Sequence, residues 1–199
     1  MLTFWVTLPL FLISVVLHEV SHGWVAYRLG DSTAKNAGRL TLNPLVHIDY
    51  LGTLLLPFLL VVLHSPIVFG WAKPVPVNFL NLRHPKRDMV WVGMVGPLTN
   101  ITIAFVVSLL IRLGVSEPLS AWLTLGVLIN LVLAVFNLIP IPPLDGSRIL
   151  TGLLPPKQAI FFLRLEPFGF LILLALLGLG VVDKLLWPAV RFLAAFMGM

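Results

Sequence analysis

From Pro118 to Leu144 the chain carries no charged residue. About 20 consecutive apolar residues cross the hydrocarbon core of a bilayer as one helix. In lipid a helix satisfies its own backbone polar groups, whereas an open strand edge does not. This stretch therefore restricts the chain to a helical membrane fold. Further apolar runs cover residues 1–17 (continuing through LHEVSHGWVAYRL), 50–69, 89–111 and 167–182, alongside the run at 118–138. A weaker amphipathic run, LLWPAVRFLAAFMGM at 185–199, suits a lateral interfacial helix as well as a span. The composition agrees: 59% of the 199 residues are hydrophobic and 11% charged, against about 25% charged in soluble domains. The expected fold is an all-α polytopic membrane protein with about four to six transmembrane or re-entrant helices and a short membrane-associated β element. With no internal repeat and no soluble stretch of domain length, residues 1–199 read as a single domain.

The net charge of +5 comes from Lys and Arg placed between apolar runs. Those positions suit topology signals and lipid headgroups rather than nucleic acid. The expected setting is a multi-pass protein of the cell membrane. The absence of cysteine leaves only His, Asp and Glu to hold a metal such as zinc. The N-terminus lacks the basic n-region and small-residue cleavage site of a signal peptide, so the first run is expected to be retained. Segments 28–49 (Arg28, Lys35, Arg39), 70–88 (Lys73, Arg83, Lys86, Arg87) and 145–164 (Arg148, Lys157, Arg164) are basic and suit the inside. Run 50–69 lies between two of them and contains Pro57 and Pro66, so a re-entrant element is favoured there over a span. This topology brings the C-terminal ends of the first and fourth long runs to the same membrane depth.

LHEVSHG, residues 17–23, lies at the first of those ends. His18 and His22 are four positions apart, about 40° around a helix and one turn on, so both imidazoles can reach one ion. Glu19, next to the first, can act on a water at that ion. This is the HExxH arrangement of two zinc ligands and a general base. A catalytic zinc takes a third protein ligand and keeps one position open. The candidates are His47, His64, His84, Glu166 and Asp145. Asp145 stands out, because it ends the charge-free stretch inside FNLIPIPPLDGSRIL. There Pro140, Pro142 and Pro143 unwind the helix, and Gly146 permits a tight turn beside the carboxylate. Asp145 could also serve as a cap for the helix after it. His47, His64 and His84 have no partner at ligand spacing and read as structural or interfacial.

HEVSH on a first apolar helix, with NLIPIPPLDG after a later one, resembles the site-2 protease family of intramembrane zinc metalloproteases. The compact bacterial-type branch without PDZ or CBS domains is the nearest in form. The resemblance covers nearly the whole chain, through GRLTLNPLVHIDYLGTLLLP (38–57), FGWAKPVPVN (69–78) and GPLTN (96–100). It implies one zinc per chain held by His18, His22 and Asp145, with Glu19 as general base. It also implies that Asn137 of FNLIP helps to hold the substrate backbone and that Asn100 of GPLTN lies near the site, and that the substrates are transmembrane proteins. The contrasting reading is a metal-binding transporter or scaffold without protease activity. Two further segments are read from pattern alone. GRLTLNP at 38–44 alternates as a short strand does, and its edge could pair with an extended substrate. WAKPVPVN at 71–78 is extended and could form a second edge or a rim. The small residues of GPLTN suit close helix packing as well as a site.

Overall fold

In the computed structural model, residues 2–63 and 72–199 are described. The principal helices are α1 (Leu2–Arg28), α2 (Thr33–Asn36), α3 (Leu56–Val62), α4 (Pro85–Arg112), α5 (Leu119–Asn137), α6 (Asp145–Leu153), α7 (Pro156–Leu163), α8 (Gly169–Gly178) and α9 (Val181–Phe196). Among the described residues, four stretches are long and apolar enough to cross a membrane: Trp5–Arg28, Pro85–Arg112, Leu119–Asn137 and Pro156–Gly178. The chain is a helical membrane protein. Phe105, Leu110, Leu128, Phe170 and Leu171 are exposed on these stretches. In water such a surface would be an association liability; in a bilayer, lipid covers it.

The last stretch starts earlier than the run at 167–182 suggests. It comprises α7, a 3-10 turn at Glu166–Phe168 and α8. It ends before Gly180, whose φ of +66° suits a residue without a Cβ and turns the chain into α9. Val182, Leu186 and Val190 form the buried stripe of α9, packed into a core with Ala104 of α4, Val127 and Leu131 of α5 and Leu173 of α8. At the centre of the fold is α4, which packs against α1, α5 and α6. Its close approach to α6 depends on Gly93 and Gly152: a Cβ on Gly93 would lie 3.1 Å from the Asp145 carbonyl oxygen, and one on Gly152 2.7 Å from that of Lys86.

The strand expected at 38–44 does not form, and no strand occurs among the described residues. Local side-chain bonds take over the backbone instead. Thr41 Oγ1 accepts from the Asn43 N–H, and Asn43 Oδ1 accepts from the Leu45 N–H, starting a 3-10 turn at Pro44–His47. Residues 72–78 form no regular element, and Pro74 and Pro76 have no N–H to offer a ladder. The Lys73 N–H donates to the His47 carbonyl at 2.9 Å, and Arg39 Nη2 donates to the Lys73 carbonyl at 2.7 Å. The run at 50–69 begins as a π-helical turn, Tyr50–Leu55, capped by Asp49, and continues into α3. His64, Pro66 and the rest of that run to residue 69 lie outside the described residues.

One buried carboxylate fastens the segment after α1 to the segment before α4. Asp31 is fully buried. Its Oδ1 accepts from the Thr33 N–H, Thr33 Oγ1 and Asn81 Nδ2, and its Oδ2 accepts from the Asn78 N–H at 2.7 Å. Burial pushes the carboxyl pKa up, but the bonds from Thr33, Asn81 and Asn78 outweigh it and leave it below the ordinary value. A depressed folded pKa gives stability that is present above the unfolded value, about 3.9, and is lost as the pH falls through the folded value. Asp31→Asn turns a donor toward these donors and is expected to cost about 1–3 kcal/mol at pH 7. Melting curves in detergent should show the gap to wild type narrowing below about pH 4.

Candidate metal centre

The centre is built where α1, α4 and the start of α6 meet. His18 and His22 are both buried on α1. Each ring is held from behind through Nδ1: His18 by Asn100 Oδ1 at 2.6 Å and His22 by the Val92 carbonyl at 2.6 Å. Both partners accept hydrogen bonds, so both Nδ1 atoms carry the proton and both Nε2 atoms present lone pairs. The two Nε2 atoms are 3.1 Å apart, and Asp145 Oδ2 lies 3.1 Å from one and 3.2 Å from the other. Three acceptors thus converge on one point, and a cation is the natural group to satisfy them. The spacing fits: ligand atoms about 2.0–2.1 Å from a tetrahedral zinc lie about 3.3 Å apart. His18, His22 and Asp145 form the one such group among the described residues.

Gly96 of α4 makes room for this cluster. A Cβ there would sit 2.2 Å from His22 Nε2 and 2.7 Å from His18 Nε2. Asp145 is the first residue of α6, one past its N-cap Leu144, and its carboxylate faces the histidines. The turn at 138–144 lies over the next residue, where a Cβ on Gly146 would meet the Leu138 carbonyl oxygen at 2.2 Å.

Glu19 is half-buried, and its Oε2 accepts from the Val75 N–H at 2.8 Å. Val75 lies between Pro74 and Pro76, so it carries the only N–H of that tripeptide, and that N–H is spent on Glu19. Gly23 allows the approach, since a Cβ there would meet Val75 Cγ1 at 2.7 Å. Asn100 is joined to the cluster through His18. Asn137 is not: its Nδ2 donates to the Leu133 carbonyl of its own helix at 3.0 Å. The other candidate ligands within the described residues stand outside the cluster. His47 Nε2 bonds the Thr41 carbonyl and Glu166 pairs with Arg148, while His84 precedes α4, where its backbone N–H donates to Asp88; His64 lies outside the described residues. Sequence reasoning passed over Ser14, Asn130 and Val75. Asn130 left a signal, as a lone carboxamide in the apolar stretch LGVLINLVL.

The sequence model of peptidase family M50 matches residues 114–179, which include Asp145 but not HEVSH. The whole-length comparison decides the matter. The Bacillus subtilis (strain 168) protein "Putative zinc metalloprotease YwhC" is 38% identical over 187 residues, covering 89% of this chain and 82% of that one. The chain belongs to peptidase family M50. This M50 protein is also 29% identical over 191 residues to "Putative zinc metalloprotease Rip2" of Mycolicibacterium smegmatis, covering 94% of this chain and 72% of that one. "Zinc metalloprotease MJ0392" of Methanocaldococcus jannaschii is 32% identical over 159 residues, covering 77% of this chain and 36% of that one. No solved structure matches the chain. The M50 protein is accordingly a zinc metallopeptidase of the site-2 protease type, carried on membrane helices.

Proposed function

We propose that this M50 peptidase is a multi-pass protein of the cell membrane, built as a single domain, that hydrolyses peptide bonds within or near transmembrane segments of other membrane proteins. One zinc per chain is held by His18, His22 and Asp145. The observation that carries this reading is the convergence of two imidazole lone pairs, on a helix long enough to span the bilayer, with the carboxylate that opens α6. His22 and His18 lie six and ten residues before Arg28, so they sit about 9 and 15 Å along the helix from its basic end. That depth suits a bond inside the bilayer close to one face.

A bound zinc supplies Lewis acidity and brings the pKa of its water toward about 7. Glu19 takes the proton of the attacking water and delivers it to the leaving amine nitrogen. The Val75 N–H holds one carboxylate oxygen of Glu19, which leaves the other to face the water. Asn137, at the C-terminal end of α5, holds the backbone of an unwound substrate. Lipid surrounds the exposed apolar faces, and nucleic acid has no part.

The test is cleavage in liposomes. Wild-type protein is incubated with single-span peptides, some carrying helix-breaking residues, and the products are identified by mass spectrometry. Cuts inside the spans, lost on chelation and restored by zinc, are expected. Zinc-loaded protein that leaves every span intact would instead favour a transporter or scaffold.

A further inference from the structure

Behind His18, a line of hydrogen bonds runs away from the metal centre into the middle of the bundle. Asn100 Nδ2 donates to Asn130 Oδ1 at 2.8 Å and lies 3.4 Å from the Ser14 carbonyl. Asn130 Nδ2 donates to Ser14 Oγ at 2.9 Å and to the Gly126 carbonyl at 2.9 Å. Ser14 Oγ donates in turn to the Leu10 carbonyl at 2.8 Å. Ser14, Asn100 and Asn130 are all buried, on α1, α4 and α5.

The direction of every bond is fixed. Backbone carbonyls only accept, so the Leu10 carbonyl makes the Ser14 hydroxyl a donor. The Gly126 carbonyl fixes which end of the Asn130 amide is nitrogen, and its oxygen therefore faces Asn100. Asn130 Oδ1 then requires the nitrogen of Asn100, which leaves Asn100 Oδ1 toward His18 Nδ1. An Asn100 amide turned the other way would place N–H groups on Nδ1 and force the ring proton onto Nε2, pointing into the metal centre.

From this we infer that Asn130 is a positioning residue: acting through Asn100, it fixes the His18 tautomer that presents the Nε2 lone pair, and it thereby sets metal affinity. The inference rests on the zinc site proposed above. The competing role is helix glue, since buried carboxamides also join membrane helices. A purely structural Asn130 would change melting temperature and leave the metal centre alone.

The experiment measures zinc affinity by chelator competition, and the visible spectrum of cobalt(II) in the same site, for wild type, Asn130→Leu and Ser14→Ala, well below each melting temperature. Changes behind a metal ligand cost about 10–100-fold in affinity. Asn130→Leu should lose roughly tenfold, toward the low end because it acts through one more bond, and should alter the cobalt spectrum. Ser14→Ala leaves Asn130 anchored on Gly126 and should stay close to wild type. An Asn130→Leu protein with wild-type zinc affinity and an unchanged cobalt spectrum overturns the inference and spares the zinc site. A wild-type chain that binds no zinc removes both. Should Asn130→Leu fail to fold, nitrogen NMR of ¹⁵N-histidine-labelled wild-type apoprotein decides: His18 protonated on Nδ1 supports the inference, and on Nε2 refutes it.

Discussion

Glu19→Gln protein is expected to bind zinc as wild type does while its cleavage rate falls by about 10²–10⁴-fold, the usual contribution of a general acid–base. The variant isolates the proton because it preserves the contacts. A glutamine oxygen still accepts from the Val75 N–H that Glu19 Oε2 accepts at 2.8 Å, so the Lys73–Val77 segment stays in place. No Nε2 atom of the cluster depends on Glu19, so the proposed ligand set is untouched. What is lost is a carboxylate able to take a proton from water and return it to an amine. Zinc content, melting temperature and peptide products measured on one preparation check the three statements together. Cleavage at wild-type rate would remove Glu19 from the mechanism.

Gly96→Ala is expected to abolish zinc binding without unfolding the protein. Alanine is favoured over glycine in a helix by about 1 kcal/mol, so on propensity alone α4 gains. The added methyl would stand 2.2 Å from His22 Nε2 and 2.6 Å from His18 Cε1, inside both imidazoles, and they must turn away from Asp145. The affinity loss should exceed the 10–100-fold seen when only the groups behind a ligand are changed. Gly178→Ala is the control, because nothing lies within 4 Å of a Cβ there. Zinc affinity and melting temperature of the two variants give the answer. A Gly96→Ala protein with intact zinc affinity would mean that α4 does not press on the cluster.

Both variants touch parts of the site that the sequence disclosed to different degrees. His18, Glu19, His22 and Asp145 stood out as candidates because polar groups bordering apolar runs are costly without a purpose, and the fold brings His18, His22 and Asp145 together. Gly96 was legible only as a packing residue. That its missing side chain makes room for two imidazoles follows from the crossing of α1 and α4, and local pattern does not encode it. Four of the five long apolar runs mark the spanning stretches found among the described residues. The start of the last spanning stretch was not readable, because Lys157, Arg164 and Glu166 interrupt the run that α7 and α8 together complete. The strand at 38–44 misled for another reason. Alternation marks a strand only when the backbone has nothing better to bond, and here Thr41 and Asn43 supply it with side-chain oxygens.

The distribution of the three converging residues along the chain has a consequence for biogenesis. His22 and Asp145 are separated by 123 positions. At about 5–20 residues per second, synthesis needs on the order of 6–25 s to supply the carboxylate after the histidines have been made. Throughout that interval α1 holds two imidazoles with no anionic partner from α6. With the ligand set proposed above, a growing chain would lack its third metal ligand until Asp145 has been made, and hydrolytic capacity would arise only after that.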